Sequence, residues 1–391
     1  MTFTLSDDAR MLKESARDFF REQAPVARLR KQRDAKQNGR DPELWREIAA
    51  LGFAGVIVPE EFGGAGLGYV ALGAVLEESG RTLAASPLLS TALIGASAVM
   101  IAGSQEQKAE WLPKIAAGEV IVAFAIDEAA HHAPAKTALR AEKSGAGYKL
   151  TGKKSYVADG HIADLLVVAA RMPDGDLAPV LVKADAAGIT RRELITADSR
   201  GAADITFDGV DILPWSAKAG GVDILPWAAA KGGVDILPWK SGAEVVDAIL
   251  DRARIGLAAE MLGQASEAFE ITSEYLKTRR QFGQVIGGFQ ALQHRAAKLF
   301  TDLELTRSCV LAALDAVDRG SNNIAEYASL AKARAGETLH CATNEMVQLH
   351  GGIGMTDEHD AGLYLKRARV VEALYGGASF HRDRYAGLLG F

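Results

Sequence analysis

Cysteine is almost absent from this chain: Cys309 and Cys341 are the only two in 391 residues. Both fall in helical patterns, which favours buried thiols over a disulfide framework or a thiolate metal site. Long apolar runs are missing as well. Each is broken by Ser, Gly or a charge well before the ~18 residues a membrane-spanning helix requires, so no membrane span is expected. Positive charge is not in excess: 44 Lys and Arg stand against 50 Asp and Glu, for a net charge of −6. Nucleic acid would call for a basic patch, so no nucleic-acid partner is expected. The opening MTFTLSDDARMLKESARDFF is amphipathic and acidic at its start, unlike a secretory signal. A cytoplasmic location is the expectation.

What is there is a globular composition, 48% hydrophobic and 24% charged, long enough for two or three domains. Residues 1–118 carry helical periodicity. Ser6 is placed to cap a first helix and Ser104 a later one, and the glycine-rich LGFAGVIVPEEFGGAGLG between them reads as a loop. Residues 119–240 turn to short apolar runs separated by Gly, Asp and Pro, the pattern of strands. Residues 241–391 return to long helical segments, near 243–280, 287–319, 323–350 and 358–375, without sustained heptads. Helices, then an antiparallel β-domain, then a four-helix bundle is an α+β order; it lacks the alternation of a dinucleotide-binding parallel sheet.

At the end of the β region the heptapeptide GVDILPW occurs three times, starting at Gly209, Gly221 and Gly233. Twelve residues are too few for a solenoid unit, and the motif recurs nowhere else. Residues 209–244 therefore read as a tandem duplication. Each copy ends in Pro-Trp, which argues against central strands, and a surface loop is expected for the added copies.

The ordered motifs resemble the acyl-CoA dehydrogenase family over nearly the whole chain. LGFAGVIVPEEFGGAGLG and GSQEQKAEWLPKIAAGE are similar to its helical-domain signatures. YLKTRRQFGQVIGGFQALQHRAAKL and QLHGGIGMTDEHD are similar to its two C-terminal motifs, and FDGVDILPW to the strand closing its β-domain. The resemblance implies FAD stretched between subunits, and an acyl-CoA substrate. Arg279, Gln281 and Phe282 match the R-x-Q-F-G positions, with Gln290 in the following F-Q pair. Gln348, Gly351 and Gly352 match the Q-x-x-G-G turn, and Arg254 matches the arginine of a D-x-x-R pattern assigned to substrate binding. Such groups suit a pyrophosphate: arginine pairs with it bidentately, and glycines let backbone N–H groups approach it.

Other family residues are absent. The glutamate that removes the α-proton belongs at Gly376 in LYGGAS, or alternatively at Ala253; neither base is present, so no catalytic residue is assigned. In the flavin-holding loop, IDEAAHHAPAKT, Asp127 replaces a threonine and Glu128 survives. His131 and His132 fall in the part where the family has glycine and serine. They lack a third ligand, so a solvated loop and no metal are expected. The later W-x-T stretch reads Tyr156–Val157–Ala158, with the hydroxyl lost. Groups around the flavin ring are altered while those for the adenosine end are kept. The resemblance thus implies a subunit acting beside a paralogous partner that carries the base, in an α₂β₂ assembly, with a homo-oligomer as the other possibility. The alternatives are a self-sufficient flavoenzyme performing elimination or monooxygenation, and a non-catalytic scaffold subunit.

Overall fold

The structure, a computed structural model, describes residues 5–145, 147–212, 223–224 (backbone only) and 241–391. In chain order come helices α1 (Asp7–Gln23), α2 (Val26–Asp34), α3 (Pro42–Ala50), α4 (Gly68–Arg81), α5 (Ala96–Ala102) and α6 (Gln105–Ala116). Strands follow: β1 (Val122–Ala125), β2 (Arg140–Ser144), β3 (Gly147–Ala158), β4 (Leu165–Arg171), β5 (Leu177–Lys183), β6 (Ile189–Leu194), β7 (Ala202–Ile212) and β8 (Asp223–Ile224). Helix α7 (Gly242–Thr278) leads through the small β9 (Arg280–Gln281) and β10 (Gln284–Val285) to α8 (Gln290–Asp318) and α9 (Ile324–His350). The chain ends with α10 (Ala361–Ala373) and α11 (Ala378–Leu388). The order is the expected one: helices, then a β-domain, then helices. A fifth helix, α11, extends the expected four-helix ending.

Two compact units divide the chain, and each is taken by itself. One comprises residues 32–72 and 85–253. Its sheet runs β6-β7-β3-β2-β4-β5-β8, with β1 paired to β4. The pairings are antiparallel except β1–β4 and β2–β4, so the expected antiparallel domain is in fact mixed. Leu165–Ala170 of β4 are all buried, as in a strand covered on both faces. The outer strand β6, ITRREL, is almost wholly exposed, and its charges guard an open edge. In the same unit Ser104 caps α6 through the Gln107 N–H, while Gln107 returns a bond to the Ser104 N–H. This reciprocal cap satisfies two otherwise orphan donors. The start of α7 is capped from the β4–β5 turn, where the Asp176 carboxylate accepts from Gly242 N at 2.7 Å and Ala243 N at 3.3 Å.

The repeats divide between two places in this sheet. Gly209–Ile212 of the first copy end β7, paired with β3. Asp223 and Ile224 of the second copy form β8 against Leu181 and Val180 of β5. That corrects the expectation of a plain surface loop at these two residues: a Val-Asp-Ile stretch of strand-forming type finds an open sheet edge. The rest of the expected excursion, residues 213–222 and 225–240, lies outside the described residues.

The other unit comprises residues 1–31, 73–84 and 254–391. Its helices pack closely where glycine permits. A Cβ on Gly263 would stand 1.8 Å from Glu77 O, and one on Gly80 would stand 2.2 Å from Glu260 O, so these two glycines let the backbones of α4 and α7 meet directly. Cys309 and Cys341 are free and half-buried on α8 and α9. Among the described residues no helix is long and apolar enough to cross a membrane.

Candidate functional site

The stretch expected to face a flavin ring follows β1. Its anchor is a lysine that the sequence reading did not single out. Lys154 on β3 is fully buried and donates to Ile126 O at 3.0 Å and Glu128 Oε1 at 2.7 Å. The Glu128 carboxylate also accepts from Ala138 N and Leu139 N at 2.7 and 3.0 Å. Burial alone would raise the Glu128 carboxyl, but the Lys154 ammonium and these N–H groups hold it below its ordinary value. Burial lowers Lys154, against the pull of Glu128 and Asp127. The only hint in the sequence is the pair Lys153–Lys154: on a strand, neighbours face opposite sides, so one of two adjacent lysines turns inward.

Around this anchor the ring-side groups are committed elsewhere. His132 is not solvated, which corrects the sequence reading: its side chain is 3% exposed, with Nδ1 2.8 Å from Asp127 Oδ1. The Asp127 carboxylate supplies the partner that draws the imidazole inward. His131 is exposed, as expected. The β3–β7 pairing shifts register between Lys154 and Val157. The irregularity puts Tyr156 at φ +50, with its N–H on Asp204 Oδ1 at 3.0 Å. Ala158 offers no hydroxyl. As a donor set for a flavin ring this does not fit: an acidic acceptor bound to histidine stands where a threonine was expected.

The second group lies in the helical unit, where the family places its base. Tyr375 and Gly376 sit at φ +57 and +103, and three cationic or titratable side chains converge on this turn. Arg254 Nε reaches Tyr375 O at 3.3 Å, and His381 Nε2 lies 3.1 Å from the same oxygen. Lys332 Nζ donates to Val371 O, Glu372 O and Gly376 O at 3.0–3.2 Å. Burial, then the Arg254 charge, pulls Lys332 down to about 7, opposed by Glu372. Arg254 is 0% exposed. Expected at the substrate, its guanidinium is enclosed in this chain, and its Nε holds the backbone of the turn. Ala253, the other position for a base, is fully buried and carries no titratable group.

The third group is the set expected at the adenosine end, and here the side chains are open. β9 and β10 pair Arg280 with Val285 and Gln281 with Gln284, joined through Phe282 and Gly283 at φ +51 and +83. Two left-handed residues make the mirror-image turn that suits a two-residue hairpin. Glycine takes that conformation freely; phenylalanine does so at a cost of about 1–3 kcal/mol. Phe282 is also 88% exposed, resting edge-on against Phe289. Arg279, Gln281 and Gln290 are exposed beside it. Gln348, Gly351 and Gly352 are exposed at the end of α9, with Gly351 at φ +65. These are the donors a pyrophosphate and ribose would need. The adenosine end fits.

The family model for the acyl-CoA dehydrogenase N-terminal domain matches residues 6–119, and that for the C-terminal domain matches residues 240–387. Acyl-CoA dehydrogenase IpdE2 of Mycobacterium tuberculosis is 31% identical over 371 residues, covering 93% of this chain and 92% of that protein. Among solved structures, a variant of the Tcur3481–Tcur3483 steroid ACAD superposes with a TM-score of 0.85 at 32% identity, covering 99% of this chain and 98% of the other. The ChsE4–ChsE5 complex of Mycobacterium tuberculosis superposes at 0.86 with 26% identity, covering 100% and 99%.

Proposed function

Since the chain belongs to the acyl-CoA dehydrogenase family, we propose that it is one subunit of an FAD-dependent enzyme that desaturates an acyl-CoA thioester. A paralogous subunit carries the base and the flavin ring, and this chain supplies the adenosine-side contacts across the interface. The observation that carries the reading is the contrast between the two ends. Asp127 is bound to His132 and Ala158 lacks a hydroxyl, whereas Arg279, Gln281, Gln290, Gln348 and the Gly351–Gly352 turn are unobstructed. A strained, exposed Phe282 supports the same reading, because such conformations persist where a contact uses them. It also weighs against a mere scaffold. Similarity to two-protein complexes, ChsE4–ChsE5 and Tcur3481–Tcur3483, supports a paralogous partner.

Bound FAD supplies the electron acceptor for such an oxidation. Within this chain, Arg279 would meet the pyrophosphate charge, and the exposed backbone at Gly351 and Gly352 would let N–H groups approach it. Proton removal requires a positioned base, which this chain lacks at Ala253 and Gly376.

Measuring FAD content tests this. Purified alone, the protein is expected to hold little flavin; co-purified with the partner, one FAD per pair. Arg279→Ala is expected to weaken flavin retention in the pair about tenfold, a loss of about 1.4 kcal/mol, while leaving the melting temperature of the chain alone unchanged. Stoichiometric FAD in the purified homo-oligomer would sink the division of labour.

A further inference from the structure

Between the two adenosine-side motifs stands a stack of three rings that no step above uses. Tyr275 near the end of α7, His350 at the end of α9 and His359 in the following loop pack ring against ring, with centroids 4.4 and 4.2 Å apart and planes tilted by 32° and 46°. Tyr275 O accepts from Arg279 N at 2.9 Å, so the stack is tied to the start of the Phe282 hairpin. His350 lies between Gln348 and Gly351, and its carbonyl accepts from the Tyr275 hydroxyl at 3.4 Å. The stack therefore joins both motifs.

Both imidazoles have one nitrogen assigned by their partners. His350 Nδ1 donates to Met346 O at 2.7 Å, and His359 Nδ1 accepts from Ala361 N at 3.1 Å. Burial, and then the neighbouring His359, holds His350 below its ordinary value, although its bond to Met346 O favours the proton. The charged groups on surrounding elements are already paired. Arg30 of α2 meets Asp360 at 2.6 Å and Asp357 at 3.3 Å, and Arg295 of α8 meets Glu345 of α9 at 2.7 Å. On α7 the neighbours of Tyr275 are Glu274 and Lys277, which pair with each other at 2.6 Å, and Glu358 is exposed in the loop. Among the described residues the His350 ring is bonded to a carbonyl and not to a carboxylate, so a charge gained there has no counter-ion beside the His359 ring at 4.2 Å.

We propose that His350 is a positioning residue that holds the Arg279 hairpin and the Gln348 turn in register, and that its protonation loosens both and releases the dinucleotide. This rests on the reading that these motifs hold the adenosine end of FAD. The sign is fixed by linkage. A histidine kept neutral in the fold costs nothing above its unfolded value near 6.5; as pH falls below that, the loosened state takes up the proton first.

The test acidifies the assembled, FAD-loaded complex from about pH 7.5 to about pH 5.5 and follows flavin fluorescence. Release is expected to quicken about tenfold in the wild type, and to vary less than about twofold in His350→Phe, which keeps a ring in the stack without the proton. Release in each protein is read as its own ratio between the two pH values, so a weaker starting retention in His350→Phe does not enter the comparison. A variant that keeps the wild-type acid response overturns the proposal. Should His350→Phe fail to fold, His359→Phe, which removes the imidazole that packs on His350, is expected to flatten the profile in the same way. On the chain alone, without flavin, imidazole NMR should show the His350 titration coupled to shifts at Tyr275 and Arg279; an uncoupled titration overturns the proposal independently. If Arg279→Ala leaves FAD retention untouched while that coupling is present, the assignment of FAD to this surface fails and the stack does not.

Discussion

Gly376 shows what an aligned residue does and does not reveal. Motif spacing puts it opposite the family's expected glutamate, and says nothing of its surroundings. A Cβ there would lie 2.5 Å from Phe380 Cδ1 and 2.9 Å from His381 Nε2, at φ +103. Gly376→Glu is thus expected to lower stability by about 1–3 kcal/mol from backbone strain alone, read by thermal denaturation. It should also fail to produce acyl-CoA-dependent bleaching of flavin in the homo-oligomer. Robust bleaching would mean the ring site is intact and only the base was missing. Arg254 teaches the converse: its D-x-x-R spacing was readable, yet only packing shows that it is enclosed with its Nε on the Tyr375 carbonyl. His132 and Lys154 were hidden for the same reason, because their partners Asp127 and Glu128 become meaningful only once the loop folds against β3.

Helices were more legible than strands. The expected segment 243–280 is α7 (Gly242–Thr278), and 323–350 is α9 (Ile324–His350), since a long helix repeats its signal every turn. Strand partners are set by distant chain, and the parallel β1–β4 pairing left no local trace. The repeat shows how a sheet edge can take up duplicated sequence. Removing Gly221–Gly232 brings the third heptapeptide to the twelve-residue offset the second now holds, so an identical Asp-Ile pair becomes available to β5. The deletion is expected to change stability by no more than about 0.6 kcal/mol, the scale of a twofold change in loop length. A large fall in melting temperature would show that the second copy's own surroundings, beyond its strand sequence, contribute. Removing residues 221–244 would be a poor substitute, because it also deletes the Gly242 and Ala243 N–H groups that Asp176 caps.

Across the helical unit a charge network joins helices far apart in sequence. Glu77 on α4 meets Lys13 of α1 at 2.5 Å and Arg307 of α8 at 2.7 Å. Arg81 of α4 meets Glu267 and Glu270 of α7 at 3.0 and 2.9 Å, and Arg367 of α10 meets Glu260 of α7 at 2.8 Å. Burial would raise the Glu77 carboxyl, but Lys13 and Arg307 outweigh it and hold it below its ordinary 4.5. Its contribution is therefore complete above pH 4.5 and is lost as pH falls through the lowered value. Glu77→Gln is expected to cost about 3 kcal/mol at neutral pH, the low end for breaking a buried pair since Lys13 and Arg307 keep some solvent. Urea unfolding should show the gap between variant and wild type narrowing in acid; a constant gap would rule out the carboxylate as its source. Sequence by itself determined the helix–sheet–helix order, the family likeness and the spacing of the motifs around Arg279, Gln348 and Gly376, because periodicity and motif spacing are properties of neighbours along the chain. Tertiary structure alone decided that Arg254 is enclosed, that His132 is bound to Asp127, that Glu77 is ionised between two helices, and that Tyr275, His350 and His359 stack. Each of those depends on which distant groups share a low-dielectric interior, and burial converts such proximity into fixed hydrogen bonds and charge states.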